Sequence, residues 1–334
     1  MIMTTTKRTF LKTLTGAAVA LGIAAVAPFN VSAAEKPDTV TVDYAYYNPV
    51  ALLLKKKGWL EEEFAKDDID VRWLLSLGSN KALEFLNGGS ADFASTAGSA
   101  AVVGRANGIP IKAVYVYSKP EWTALVTKPD SGIETVADLK GKSVAVTRGT
   151  DPHIFLLRAL AAEGLSESDI KTVLLQHPDG YLALEKGQVD AWAGLDPHMA
   201  KAELESGAKL FFRAPDLNTY GILNVREAFA DEHPDLVTRV LRIYERTRRY
   251  ALEHPEELRE VLVEAARLTD EVADKQLSER TDITNPVIGA EHRTTFLETA
   301  KVLQGIGVLK PEVNVEQVVD DLIDSSFIVN LAAK

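Results

Sequence analysis

The chain has no cysteine. Disulfides, thiolate metal sites and cysteine nucleophiles are therefore excluded. It is also short of positive charge: 37 Lys and Arg stand against 48 Asp and Glu, for a net charge of −11. That argues against nucleic acid or an anionic membrane surface as partner, since both need a basic footprint. A small anion is not excluded, because it responds to local N–H groups rather than to the overall charge. Beyond the first 33 residues no run is apolar enough to cross a bilayer. No Walker or Gly-rich dinucleotide pattern is present, no metal-ligand spacing occurs, and no nucleophile–base pair stands at a recognisable spacing. The sequence calls for no cofactor, no metal and no catalytic residue.

What is there begins with a targeting segment. Residues 1–33 hold Lys7, Arg8 and Lys12 and no acid, then an apolar and small-residue run from Leu14 to Phe29. Val31-Ser32-Ala33 puts small residues where a signal peptidase reads. Gly16, Gly22 and Pro28 interrupt the run, so cleavage is expected rather than anchoring. Thr6 to Lys12 resembles the twin-arginine export motif with Lys in place of the first Arg. The expectation is a signal peptide over 1–33 and a periplasmic mature chain.

The stretch Ser143-Val144-Ala145-Val146-Thr147-Arg148-Gly149-Thr150-Asp151-Pro152 organises the rest. A short apolar strand leads through a Gly turn into a helix, with Asp151 expected as N-cap and Pro152 as a first helical residue. Gly164 closes that helix. Free N–H groups and the helix dipole make this turn suited to an anion, to which Arg148 can add a guanidinium fork.

Strand–turn–helix units recur along the chain. Strands are expected at 40–46, 69–74, 93–94, 111–117, 125–126, 171–175, 189–193 and 209–212, with helices between them. This alternation implies mostly parallel sheets with helices on both faces and ligands at the strand ends. There is one internal echo: Gly89-Ser90-Ala91-Asp92 followed by Phe93-Ala94, and Gly187-Gln188-Val189-Asp190 followed by Ala191-Trp192-Ala193. Two α/β halves of similar plan explain it. After Tyr220 the pattern becomes long amphipathic helices, 234–252, 255–268, 270–278, 290–305 and 313–323. The Arg246, Arg248 and Arg249 cluster there reads as a solvated helix face paired with acids.

The chain resembles the periplasmic substrate-binding proteins of ATP-driven importers for aliphatic sulfonates, taurine and nitrate. The residues that carry the resemblance are Asn48-Pro49 with the helix to Lys57-Gly58, Gly78 to Leu86 with Asn87 to Asp92, and Val136 to Lys142. Thr147 to Thr150, Leu156 to Leu160, Gly187 to Trp192 and Asp196-Pro197 complete the set, which spans about 40–225. The resemblance implies a two-lobe α/β binding protein of type II, each lobe a mainly parallel sheet flanked by helices, with the ligand in the interlobe cleft. It implies a first lobe over 36–120 plus 221–334 and a second over 121–220.

The family's strand-end loops, carried onto this sequence, give the ligand-binding candidates. These are Tyr46, Tyr47, Asn48, Ser79, Asn80, Thr96, Gly98, Ser99, Glu121, Trp122, Arg148, Gly149, Thr150, Trp192, Asp196 and Tyr220. Asp151 reads as a cap turned inward, and His153 and His198 as exposed. The function implied is a monomeric solute-binding component, not an enzyme, that hands a small organic anion (an aliphatic sulfonate, a taurine-like compound or a sulfate ester) to a membrane permease. Two alternatives stand beside it: the same fold binding nitrate or a neutral or aromatic nutrient such as a vitamin precursor, and an enzyme on the same fold. The pyrimidine-forming relative of the latter kind uses a Cys-containing motif, which this chain lacks.

Overall fold

The computed structural model describes residues 36–328, and the expected signal peptide lies outside the described residues. In chain order the first elements are β1 (Thr39–Tyr44), α1 (Pro49–Lys57), α2 (Trp59–Phe64), β2 (Asp70–Leu75), α3 (Ser79–Asn87), β3 (Phe93–Ala97), α4 (Gly98–Ala106) and β4 (Ile111–Pro120). There follow β5 (Leu125–Thr127), β6 (Ser143–Val146), α5 (Asp151–Ala162), β7 (Lys171–Leu174), α6 (His177–Glu185), β8 (Ala191–Ala193), α7 (His198–Ser206) and β9 (Lys209–Phe212). The chain then enters β10 (Gly221–Arg226), α8 (Glu227–Glu232), α9 (Pro234–Glu253), α10 (Pro255–Ala266) and α11 (Asp270–Asp274). A π-helical turn over Lys275–Glu279 leads to β11 (Thr281–Asp282), α12 (Ala290–Gly305) and α13 (Val315–Leu322).

The strands build two sheets flanked by helices, a mixed α/β architecture. The first runs β11-β4-β10-β3-β1-β2 and the second β7-β6-β8-β5-β9. In each sheet the strand that arrives from the other is reversed. β10 is antiparallel to β3 and β4, and β5 is antiparallel to β8 and β9, while β1–β2, β1–β3, β6–β7 and β6–β8 are parallel. The link from β4 to β5 and the link from β9 to β10 therefore cross between the sheets side by side. Thr123 of the first link donates its N–H to Asn218 Oδ1 of the second at 3.0 Å.

The internal echo is structural. Asp92 Oδ2 accepts the Thr41 N–H at 2.9 Å, and the Asp92 N–H reaches the Thr41 carbonyl at 2.8 Å. Asp190 Oδ2 accepts the Ser143 N–H at 2.7 Å, and the Asp190 N–H reaches the Ser143 carbonyl at 2.9 Å. In both halves a carboxylate ahead of one strand clamps the start of its neighbour.

Side chains alternate across the second sheet as strand geometry requires. Val144 and Val146 pack with Phe155, Leu156 and Leu160 of α5, whereas Ala145 faces Tyr181, Leu184 and Met199 of α6 and α7. The first sheet carries the larger core, where α1 packs on α9 and α10, and α4 on α12 and α13. α1 starts as the sequence indicates: Asn48 Oδ1 accepts the Ala51 N–H at 3.1 Å, Pro49 opens the helix, and Gly58 ends it at φ 66°. The arginine cluster of α9 is solvated only in part: Arg246 and Arg249 are exposed, Arg249 binding Glu245 and Arg246 lying 4.0 Å over the Trp59 ring, whereas Arg248 is buried between Glu245 and the Ile283 and Thr284 carbonyls.

Candidate functional site

Four helices begin where the two sheets face one another. The Gly78-Ser79-Asn80 turn of α3 and the start of α4 come from the first sheet, and the starts of α5 and α6 from the second. Tyr47, Ser79, Trp122, Thr150, Asp151, Pro152 and Leu195 enclose a cavity between them. Its free volume is about 10 Å³, roughly the space of one water molecule. Ligand pockets run to several hundred Å³, so the two halves are closed on one another at this point.

Asp151 ties this closure. Thr150, in extended conformation at φ −119°, takes the N-cap position, and Asp151 is the first helical residue instead of the expected cap. This frees its side chain to project into the cleft. Its Oδ2 accepts from Trp122 Nε1 at 2.8 Å and from the Thr219 N–H at 3.1 Å. Its Oδ1 accepts from Thr219 Oγ1 at 3.0 Å and from the hydroxyl of Ser99, the second residue of α4. One carboxylate from the second half thus gathers donors from the first half and from both crossing links. A second tie lies lower: Arg280, 1% exposed on its side chain, sets Nη1 3.3 Å from Asp196 Oδ1 and Nη2 2.5 Å from Glu203 Oε2. Asp196 also accepts the Ala200 N–H at 2.8 Å, anchoring α7.

The candidate residues divide by surroundings. Tyr47, Asn48, Ser79, Ser99, Trp122 and Thr150 are buried at the cleft. The Tyr47 hydroxyl donates to the Ser95 carbonyl at 3.1 Å, and its ring meets Trp122 edge-on at 5.9 Å. Burial drives the Tyr47 phenol well above its ordinary range. Asn48 Nδ2 donates to Ser95 Oγ at 2.8 Å, and that hydroxyl donates in turn to Asp43 at 2.8 Å. Burial lifts the Asp43 carboxyl to about 6, opposed by the Ser95 hydrogen bonds. Ser79 Oγ accepts the Ala97 N–H at 3.0 Å, and Thr150 Oγ1 donates to the Thr147 carbonyl at 2.7 Å. Thr96 Oγ1 is held by Asn224 Nδ2 at 2.8 Å. Tyr46 is half-buried, and its carbonyl accepts from Gln276 Nε2 at 3.1 Å.

Others point elsewhere. Arg148 is exposed and pairs with Glu167 at 2.7 Å, so its guanidinium faces solvent rather than the cavity. Trp192 is fully buried in the second half, packed against Gly180 and Tyr181. Gly98 leaves room for Phe296, since a Cβ there would lie 2.2 Å from the ring. Glu121 and Tyr220 line a separate cavity of about 440 Å³ beside the crossing links, with Asn218 and Arg280. Glu121 is bound by Arg213 at 2.7 Å, and Tyr220 lies 4.2 Å from the His292 ring. His153 is buried rather than exposed, and burial depresses its imidazolium to about 4. His198 is half-buried and likewise lowered to about 4 by desolvation.

Sequence reasoning passed over His177. It is 1% exposed at the start of α6, on the cleft side of the second half, beside Gly78. The signal was available: Pro178 follows strand β7 as Pro49 follows β1 and Pro152 follows β6. Among the described residues no group of three or more His, Asp or Glu is placed to hold a metal ion, and no helix is long and apolar enough to cross a membrane.

A family model described as NMT1/THI5 like matches residues 51–258, more than half of the chain. The chain belongs to the NMT1/THI5-like family. Within that family, a candidate aliphatic sulfonates-binding protein of Bacillus subtilis (strain 168) is 30% identical over 273 residues, covering 81% of this chain and 82% of the relative. Its counterpart in Escherichia coli (strain K12) is 28% identical over 298 residues, covering 89% and 93%. Among solved structures, the alkanesulfonate-binding protein SsuA from Xanthomonas axonopodis pv. citri bound to MOPS has a TM-score of 0.76 at 25% identity, covering 85% of this chain and 99% of that one. The fold is thus that of the periplasmic binding proteins, with two sheet-based lobes and a cleft between them.

Proposed function

We propose that this protein is the periplasmic solute-binding component of an ATP-driven importer, capturing an organosulfur anion between its lobes and delivering it to a membrane permease. The mature chain acts as a monomer after loss of residues 1–33. One lobe comprises 36–120 plus 221–334 and the other 121–220. No reaction is needed, because closure supplies both affinity and the signal to the permease. The observation that carries this reading is that the starts of α3 and α5, helices of two separate sheets, line one enclosed cavity, with the start of α4 tied to it through the Ser99–Asp151 hydrogen bond. Helix N-termini favour negative charge without a full counter-charge, which suits a strongly acidic protein. The sulfonate-binding relatives support the ligand class. Calorimetric titration with ethanesulfonate, taurine, a sulfate ester and nitrate tests it: micromolar or tighter binding of a sulfonate is expected, and no heat with any of the four overturns it.

A second reading rests on Asp151. Its carboxylate stands in the cleft wall, where it repels an anion and welcomes an ammonium. It favours a zwitterion such as taurine, or an uncharged ligand, over a simple alkanesulfonate. The same titration separates the two: taurine binding tighter than ethanesulfonate supports the zwitterion.

A further inference from the structure

The first turn of α6 holds a buried side chain without a partner. Neither ring nitrogen of His177 has a hydrogen-bond partner, although the residue is 1% exposed. It faces the opposite lobe: a Cβ placed on Gly78 would lie 3.2 Å from His177 Nε2 and 2.8 Å from Asn80 Oδ1. The two polar atoms therefore flank one point. Asn80 Oδ1 is itself buried and unpartnered, as is Oε1 of Gln176, the residue before His177. The Asn80 Cβ lies 3.7 Å from where a Cβ on Gly149 would stand. The starts of α3, α5 and α6, helices of 9, 12 and 9 residues, thus meet around Asn80. Buried polar groups normally find partners. Several left open at one seam between lobes point to a partner that arrives with the ligand.

We propose that His177 and Asn80 form the subsite that recognises the oxyanion head of the ligand, where α3, α5 and α6 begin. This rests on the cleft being the solute site. Burial depresses the His177 imidazolium to about 3, with His198 nearby adding to the effect, so the ring is neutral and offers one N–H donor. A half-turn of the Asn80 amide brings its N–H₂ to the position of Oδ1. Two neutral donors and three helix N-termini then meet the head, with no cation required. The neighbouring corner is closed to it: Asp151 already receives the donors of Ser99, Trp122 and Thr219. Arg148 is engaged with Glu167 outside the seam.

The test uses the mature protein and ethanesulfonate. His177→Phe keeps the ring's bulk and removes its donor, and is expected to weaken binding at least tenfold. His177→Gln keeps a donor and should stay within about threefold of the parent. Asn80→Ala should weaken binding about fivefold. In parent protein labelled with ¹⁵N at histidine, ethanesulfonate should shift the His177 ring nitrogens and leave those of the half-buried His254, between α9 and α10, in place. Should the parent bind ethanesulfonate while His177→Phe binds equally well and the His177 resonances stay still, the subsite is wrong and the cleft reading survives. Should the parent bind no oxyanion at all, both fall.

Discussion

The indole Nε1 of Trp122 donates to Asp151 Oδ2 at 2.8 Å, joining a crossing link to the first turn of α5. Both residues are nearly fully buried, at 3% and 2% exposure. With Ser99 and Thr219 supplying the remaining donors, the carboxylate holds the place that an anion would otherwise take among these groups. The closed cleft is therefore stabilised by a charge that belongs to the protein. On the proposed function, a ligand anion settles beside that charge.

Replacing this carboxylate is expected to move stability and affinity in opposite directions. Asp151→Ser leaves the Trp122 and Thr219 donors without their charged acceptor, which costs about 1–3 kcal/mol of unfolding free energy. It also removes a like charge from the cleft, so ethanesulfonate should bind at least tenfold tighter, about 1.4 kcal/mol. Urea denaturation and calorimetry on the same preparation check both. Weaker taurine binding in Asp151→Ser, beside tighter ethanesulfonate binding, would show that the carboxylate holds the ammonium of a zwitterion.

Arg280 and Asp196 lie 84 residues apart and meet across the lobes with less than 2% exposure on either side chain. Arg280→Ala strands the Asp196 carboxylate in the interior. Removing one partner of a buried pair costs about 3–5 kcal/mol. The mature variant should lose that much in urea denaturation at pH 7. A loss below 1 kcal/mol would mean that the pair is solvated in solution.

How far the sequence revealed this arrangement varies with the range of the interaction involved. Asn48-Pro49 and Gly58 marked α1 because capping and left-handed closure are settled within a few residues. The Asp92 and Asp190 repeat was visible for the same reason, each Asp acting at the mouth of its own strand. The reversal of β5 was not, since alternation along a strand carries no direction, and β10 was missed altogether, because the chain after Tyr220 reads as helical although Gly221–Arg226 pairs between β4 and β3. Arg148 was a candidate because a turn beside a helix start looks alike whether its side chain enters a cleft or, as here, meets Glu167. His177 escaped because the strand expected over 171–175 does not mark where the next helix begins. The helix starts at residue 177, which puts the imidazole in its first turn, beside Gly78 of the other half.

Asp43 predicts a pH dependence of known sign. Its folded-state pKa of about 6 lies above the ordinary 3.8 because burial disfavours the charged form. The folded protein thus binds this proton more tightly than the unfolded chain. The stabilisation is complete below pH 3.8 and is lost as pH rises through 6. Asp43→Asn keeps an acceptor for the Ser95 N–H and hydroxyl and removes the titration. Relative to the parent, the variant should gain about 2 kcal/mol between pH 4 and pH 7, since the unfolded carboxyl is already part-ionised at pH 4. Denaturation curves at the two pH values read this directly, and an unchanged difference refutes it.

Gly98 separates packing from recognition. A methyl group there would stand 2.2 Å from Phe296 Cε1, and that ring, carried by α12, is fully buried. Overpacking of this kind costs about 1–3 kcal/mol. Gly98→Ala should therefore lower the unfolding free energy by that amount. Gly98→Ala combined with Phe296→Leu should recover most of it by making room. If the second substitution recovers nothing, the glycine serves the cleft rather than the helix contact.

Arg148 provides the sharpest contrast between the composition of the turn and its geometry. An arginine contributing a charged hydrogen bond to an anion would cost about 1.5–3 kcal/mol of affinity when removed. Here its side chain is 55% exposed and meets Glu167 at 2.7 Å on the outer surface. An exposed ion pair is worth about 0–1 kcal/mol, and the cleft wall beneath is made by Thr150 and Asp151. Arg148→Ala should accordingly leave ethanesulfonate affinity within twofold and stability within about 1 kcal/mol. A loss of tenfold or more in the calorimetric titration would mean that the guanidinium swings inward when the lobes close on a ligand. The anion would then be held by a full positive charge rather than by the neutral donors of His177 and Asn80.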